Sequence, residues 1–94
     1  MKIRSIAHKG LRRLYEDGSA QGVSADALDK LRKMLVFLDA MDTPEELRGL
    51  VTWKAHVLTG GRKGTWSLHV TRNWRLTFGI EDNGIVNLNL EDYH

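Results

Sequence analysis

The sequence predicts an α+β fold, a compact domain with two N-terminal helices packed on one face of a small, mainly antiparallel sheet. Three observations predict it. Apolar residues in the first half recur at helical spacing, and those in the second half alternate with polar ones. Between two of the alternating runs stands Asn83-Gly84, a strong hairpin signal. With 94 residues, 41% of them hydrophobic and 28% charged, the chain is sized for one domain spanning 1–94, able to bury a core.

The elements follow in order. Residues 2–6 form a short extended segment. From His8 to Glu16, Leu11, Leu14 and Tyr15 fall at i, i+3, i+4 while Lys9, Arg12 and Arg13 point elsewhere, which reads as a first helix. Asp17-Gly18 and the Gly/Ser-rich run after it end that helix. Ser24 is placed as the N-cap of a longer helix to about Met41, with Leu28, Leu31, Leu35 and Leu38 as its apolar stripe. Pro44 opens a short helical turn through Leu50. Lys54 to Leu58 supplies a strand ahead of the Gly60-Gly61 turn. Trp66, Leu68 and Val70 mark the next strand, and Arg72-Asn73 turns the chain into a run with Trp74, Leu76, Phe78 and Ile80 on one face. Val86, Leu88 and Leu90 complete the sheet. If those apolar positions pack on the helices, the opposite face carries Ser67, His69, Arg75, Thr77 and Asn residues. Trp53, Trp66 and Trp74 are expected in the core.

Composition excludes several function classes. No cysteine means no disulfide, no thiolate metal site and no cysteine nucleophile. The longest apolar run, Met34 to Leu38, is far below the ~20 residues of a membrane helix, and the basic N-terminus has no signal-peptide core. No membrane association is expected, and a cytoplasmic location is. The net charge is only +2, but it is unevenly spread. Residues 1–15 hold Lys2, Arg4, Lys9, Arg12 and Arg13 and no acid; residues 52–76 hold Lys54, Arg62, Lys63, Arg72 and Arg75 and no acid. Two such blocks are the footprint of a polyanion binder, although solvated surface cations look the same in sequence.

No phosphate loop, dinucleotide fingerprint, zinc-helix pair or serine-hydrolase elbow is present. His56, His69 and His94 have no metal-ligand spacing, and no metal or other cofactor is expected. What remains is imidazole, guanidinium and carboxylate on a basic surface. RNA carries its own nucleophile, the 2′-hydroxyl. Cleaving it needs a base for that hydroxyl, an acid for the departing 5′-oxygen and cations for the phosphorane charge. Histidine serves as acid or base near neutrality, and arginine grips phosphate through two N–H groups. From the residues alone, a ribonuclease stands barely ahead of a binding module, and His56 and His69, each taken by itself, read more readily as plain sheet-surface residues.

The stretch from Leu58 to Val70 (LTGGRKGTWSLHV), the Asn73–Phe78 motif (NWRLTF) and the closing Leu90–His94 (LEDYH) resemble HigB toxins of the RelE superfamily, as does the opening His8–Gly18 segment. The resemblance covers essentially the whole chain. It implies a RelE-like fold and a toxin of a type II toxin–antitoxin pair that cuts messenger RNA in the ribosomal A site without a metal. It implies, too, a HigA-type helix-turn-helix antitoxin as partner, through which alone operator DNA is reached. The implied catalytic set is His56, Arg75, Asp92, Tyr93 and His94. Arg75 holds the scissile phosphate, Tyr93 orients the nucleotide, and base and acid come from among His56, Asp92 and His94. Lys54, Arg62, Lys63 and Arg72, with Lys9, Arg12 and Arg13 of the first helix, become RNA or ribosome contacts. Two positions depart from the family pattern. Thr59 stands where a lysine is common and Gly61 where an aspartate is, and the basic residue near the strand's valine is displaced to Arg72. Two rivals follow: a non-enzymatic ParE-like gyrase-binding toxin, and a catalytically weakened relative that binds ribosomes or antitoxin only.

Overall fold

A computed structural model describes residues 1–92. In chain order it contains β1 (Lys2–Ile3), α1 (Lys9–Asp17), α2 (Leu28–Ala40), β2 (His56–Val57), β3 (Trp66–His69), β4 (Trp74–Glu81) and β5 (Gly84–Asp92), with 3-10 turns at Pro44–Gly49, Val51–Trp53 and Gly60–Arg62. The five strands form one sheet in the order β1-β5-β4-β3-β2. Every pairing is antiparallel except β1 with β5. The pairing of β1 continues past a break, through Ile6 beside Leu88, so the N-terminal segment covers the edge β5 would otherwise present.

Leu11 and Leu14 of α1 and Leu31, Met34, Leu35 and Leu38 of α2 meet Leu68, Leu76, Phe78, Leu88 and Leu90 of the sheet in one buried cluster. Both helices therefore cover the same sheet face. Trp66 lies in this core, stacked on Phe78 at 6.4 Å, with Arg48 over its ring at 5.1 Å. Trp53 and Trp74 are half-buried at its margin, Trp53 edge-on to Phe37.

Four local details differ from the sequence reading, each for a physical reason. His8 is the N-cap of α1 rather than part of it: its Nδ1 accepts from the Leu11 amide at 3.0 Å. Ser24 does not cap α2. Its carbonyl accepts from Ala27 and its hydroxyl turns to the Asp26 carboxylate, closing a turn that delays the helix to Leu28. The Asn83-Gly84 hairpin exists one residue earlier: Asp82 and Asn83 take the two positive φ values, 49° and 60°, and Gly84 is already paired. A Cβ at Gly84 would fall 2.1 Å from the Nε of the flexible Arg4 side chain, which lies over it. The strand expected over Lys54 to Leu58 shrinks to two residues, since Lys54 adopts φ 48°, ψ 45° to close the preceding 3-10 turn.

Candidate active site

The face of the sheet away from the helices is polar because alternation puts it there. Cross-strand register builds two rows on it: His56, Ser67, Thr77 and Asn89 in one, His69, Arg75 and Glu91 in the other. Ser67 and Thr77 are buried and form its floor. Over them opens a cavity of about 420 Å³ walled by Lys54, His56, Leu58, Arg62, His69, Arg75, Glu91 and Asp92.

Each wall residue has an identifiable support. The left-handed turn at Lys54 brings that residue's carbonyl oxygen to 2.9 Å from His56 Nδ1. A carbonyl only accepts, so Nδ1 carries the hydrogen and Nε2 is left as the nitrogen able to exchange a proton with a substrate. The Arg75 guanidinium is anchored through Nη1, which donates to the carbonyls of Thr71 at 2.8 Å and Trp74 at 3.1 Å in the β3–β4 hairpin. Asp92 is paired in register with Trp74, on the parity of the helix-facing residues, and lines the cavity from the end of β5.

Arg62 and Glu91 cross the cavity rim as a two-pronged pair, Nη1 to Oε1 at 2.8 Å and Nη2 to Oε2 at 2.5 Å. The Thr77 hydroxyl also donates to Glu91. The Arg62 pair, helped by Thr77 against partial burial, holds the Glu91 carboxyl below the usual carboxylate range. This pair ties the glycine loop after β2 down onto β5. His69 is displaced the other way from an ordinary histidine. Burial lowers its pKa first, and the positive charges of Arg75, Lys30 and Lys54 lower it further, both favouring the neutral ring.

Of the residues expected at the site, the fold brings His56, Arg75, Asp92, Lys54 and Arg62 to one cavity. Tyr93 and His94 lie outside the described residues. Lys63 lines a second hollow of about 520 Å³ that shares Arg62, Thr77 and Glu91 with the first. Arg72 is exposed in the β3–β4 turn. Lys9, Arg12 and Arg13 of α1 line neither hollow, and Arg12 is turned to the Ile6 carbonyl at 2.8 Å. The sequence reading set His69 on the open face without a catalytic role and gave no role to Glu91. The alternation of β5 with β4 would have placed Glu91 opposite Arg75, but the reach of Arg62 across the sheet has no sequence signal. Among the described residues, no group of three or more His, Asp or Glu side chains is placed to hold a metal ion. No helix among them is long and apolar enough to cross a membrane.

Comparison with known proteins adds three findings. The family described as RelE-like toxin of type II toxin-antitoxin system HigB matches residues 4–94. A protein named Endoribonuclease HigB, from Proteus vulgaris, is 40% identical over 92 residues, covering 98% of this chain and 99% of that protein. Two crystal structures of YafQ from E. coli, one of a mutant, superpose with TM-scores of 0.58 and 0.54 at 17% and 16% identity, covering 97% of this chain and 91% of theirs. At that identity the YafQ likeness speaks for the fold alone. The match along nearly the full length, by family and by relative alike, means that the chain belongs to the HigB-like family of RelE-like toxins from type II toxin–antitoxin systems.

Proposed function

We propose that the chain is an endoribonuclease toxin that cleaves messenger RNA in the ribosomal A site, without a metal ion, by attack of the 2′-hydroxyl on the adjacent phosphate. The observation that carries this reading is the joining of His56, Arg75 and Asp92 at one polar cavity on a basic protein. The 40% identity to a protein named an endoribonuclease supports the activity class.

In the reaction a base takes the 2′-hydroxyl proton as O2′ attacks phosphorus. The bond from phosphorus to the 5′-oxygen breaks, and an acid protonates that oxygen, leaving a 2′,3′-cyclic phosphate and a 5′-hydroxyl. His56 Nε2 serves in either role, and Asp92 and His94 are the other proton carriers. Arg75, anchored by the Thr71 and Trp74 carbonyls, brings its guanidinium charge to the phosphorane. Tyr93 orients the nucleotide. Lys54, Lys63 and Arg72 contact phosphates, as does Arg62 when a phosphate displaces Glu91. Lys9, Arg12 and Arg13, remote from the cavity, fit ribosome contact rather than contact with the scissile strand.

A toxin of this family has an antitoxin partner. We assign that role to a HigA-type helix-turn-helix protein, which alone links the toxin to operator DNA, with the pair acting in the cytoplasm. Primer extension on messages after induced expression tests the activity. Discrete cuts in translated messages are expected, reduced about 100-fold or more in His56→Ala and in a chain lacking His94. Intact messages, or cuts unchanged in both variants, overturn the reading.

A further inference from the structure

The proton transfers above use only the first cavity. The second hollow, of about 520 Å³, shares the Arg62–Glu91 pair with it and is of a size that holds small ligands, roughly 300–1,000 Å³. Among the described residues its wall carries two carboxylates, Glu81 and Glu91, and two cations, Arg62 and Lys63. Charge balanced in this way suits an uncharged group rather than a phosphate. Gly79 of β4 lines the hollow without a backbone reason to be glycine. Its φ is not left-handed, and a Cβ there would have Val86 Cγ2 as its nearest contact, at an ordinary 3.4 Å. The β4–β5 ladder slips between Thr77 and Gly79, but the left-handed residue of that bulge is Asn87 on β5, with φ 53°. Glycine weakens a strand, and with the bulge served elsewhere the remaining reason for it is close approach of a ligand to the backbone. Asn89, the register partner of Thr77, lines the same hollow. Its Oδ1 accepts the Leu90 amide at 3.0 Å, so the group it has to offer a ligand is the NH2, with two donors.

On the reading of the first cavity as an RNA site, we propose that this hollow seats the base of a nucleotide neighbouring the one cut, lying over Gly79 and read by the Asn89 NH2. The spacing fits. Asn89 and Thr77 stand two residues along the strands from Glu91 and Arg75 on the same face, about 6.6 Å, which is within a nucleotide's reach. Asn89 is then a specificity-determining residue, and no bond to phosphorus changes at it. The bases differ in what they present to a donor. Guanine O6 and uracil O4 accept a hydrogen bond, whereas adenine N6 and cytosine N4 are amines that donate. An NH2 fixed by its own strand therefore favours guanine and uracil over adenine and cytosine. Lys63, exposed at the rim, is left for the phosphate joining the two nucleotides.

The test maps cut sites across the cell's messages after induced expression of the full chain and of three variants, and reads the base composition at each position around the cut. Asn89→Asp keeps an oxygen for the Leu90 amide but exchanges the donors for an acceptor. At one fixed position it should shift the ratio of guanine plus uracil to adenine plus cytosine about fivefold or more toward the amines. Asn87→Asp places the same charge on the same wall and should slow cutting without moving that ratio. Gly79→Val, whose side chain enters the hollow, should flatten the preference there while keeping the urea midpoint at or above that of the parent chain. If messages are cut and both Asn89→Asp and Gly79→Val reproduce the parent composition at every position, this proposal fails and the ribonuclease reading stands. If the parent chain cuts no message, both fail. Loss of all cutting in Asn89→Asp but not in Asn87→Asp would make Asn89 part of the catalytic machinery and overturn the assignment. If Asn89→Asp and Gly79→Val leave the composition alone but weaken the complex with a co-expressed HigA-type antitoxin, the hollow belongs to the protein partner and the proposal is overturned.

Discussion

Glu91 is the side chain whose environment most alters how the site works. It neutralises one of the five cations of the acid-free block from 52 to 76, and it does so at the rim of the cavity. Arg62 is about half exposed, so the pair contributes at most about 1 kcal/mol to stability. Its effect on binding is larger, because any phosphate drawn to Arg62 must first displace a carboxylate. Glu91→Gln should therefore tighten RNA binding severalfold at low salt while lowering stability only slightly, as read by fluorescence anisotropy and urea denaturation. The sign of the pH effect follows from the lowered carboxyl value. The Glu91 contribution is present above the unfolded carboxyl's midpoint and is lost as pH falls through the lower folded one. The glutamine variant should lack that part of the acid loss.

At the level of elements, the start of α1 depends on a neutral histidine. His8 accepts the Leu11 amide through Nδ1, and burial lowers its pKa below the unfolded value of 6.5. The stability it adds is present above pH 6.5 and is lost as pH falls below that toward the folded midpoint. Asparagine caps a helix without titrating. His8→Asn should keep stability at pH 7.5 and remove up to about 1 kcal/mol of the loss seen by pH 5, with His69 leaving a residue of the same sign. Two residues on, Gly10 packs against the loop that leaves α1. Replacing a helical glycine with alanine ordinarily stabilises by up to about 1 kcal/mol. Here the added Cβ would meet the Gly22 carbonyl oxygen at 2.2 Å, so backbone must shift. Gly10→Ala should destabilise by about 2 kcal/mol, measured by the urea midpoint.

Across the whole molecule, folding separates two basic blocks that sequence leaves side by side as equals. The block from 52 to 76 supplies Lys54, Arg62 and Arg75 to the cavity, while Lys9, Arg12 and Arg13 stay on α1 away from it. Each phosphate contact on a single strand adds about 0.7 to the slope of log affinity against log salt. Lys54→Gln should reduce that slope for a short RNA by about this amount. Charge removal at Lys9 and Arg13 should leave the slope for the oligonucleotide unchanged and weaken association with ribosomes. Equal slope changes from both blocks would show that RNA spans the molecule rather than the cavity alone.

The layering, the hairpin-built sheet and the polar character of its open face were legible along the chain, because periodicity records which side of an element is buried. Leu31, Leu35 and Leu38 declare the inner face of α2, and alternation from Trp66 to Phe78 declares that of β3 and β4, whichever strands turn out to be neighbours. The parallel docking of β1 on β5 and the pairing of Arg62 with Glu91 could not be read in this way. Each joins residues 29 or more positions apart, and no local pattern carries a long-range distance. Sequence alone determined, along α2, β3 and the first part of β4, which side chains are turned away from the core, since that needs only the repeat of a strand or helix; the bulge in β5 buries Ile85 in place of Val86 and escapes that rule. Tertiary structure decided which of them share one cavity and one electrostatic field, since field and reach depend on distance in space and not on spacing along the chain.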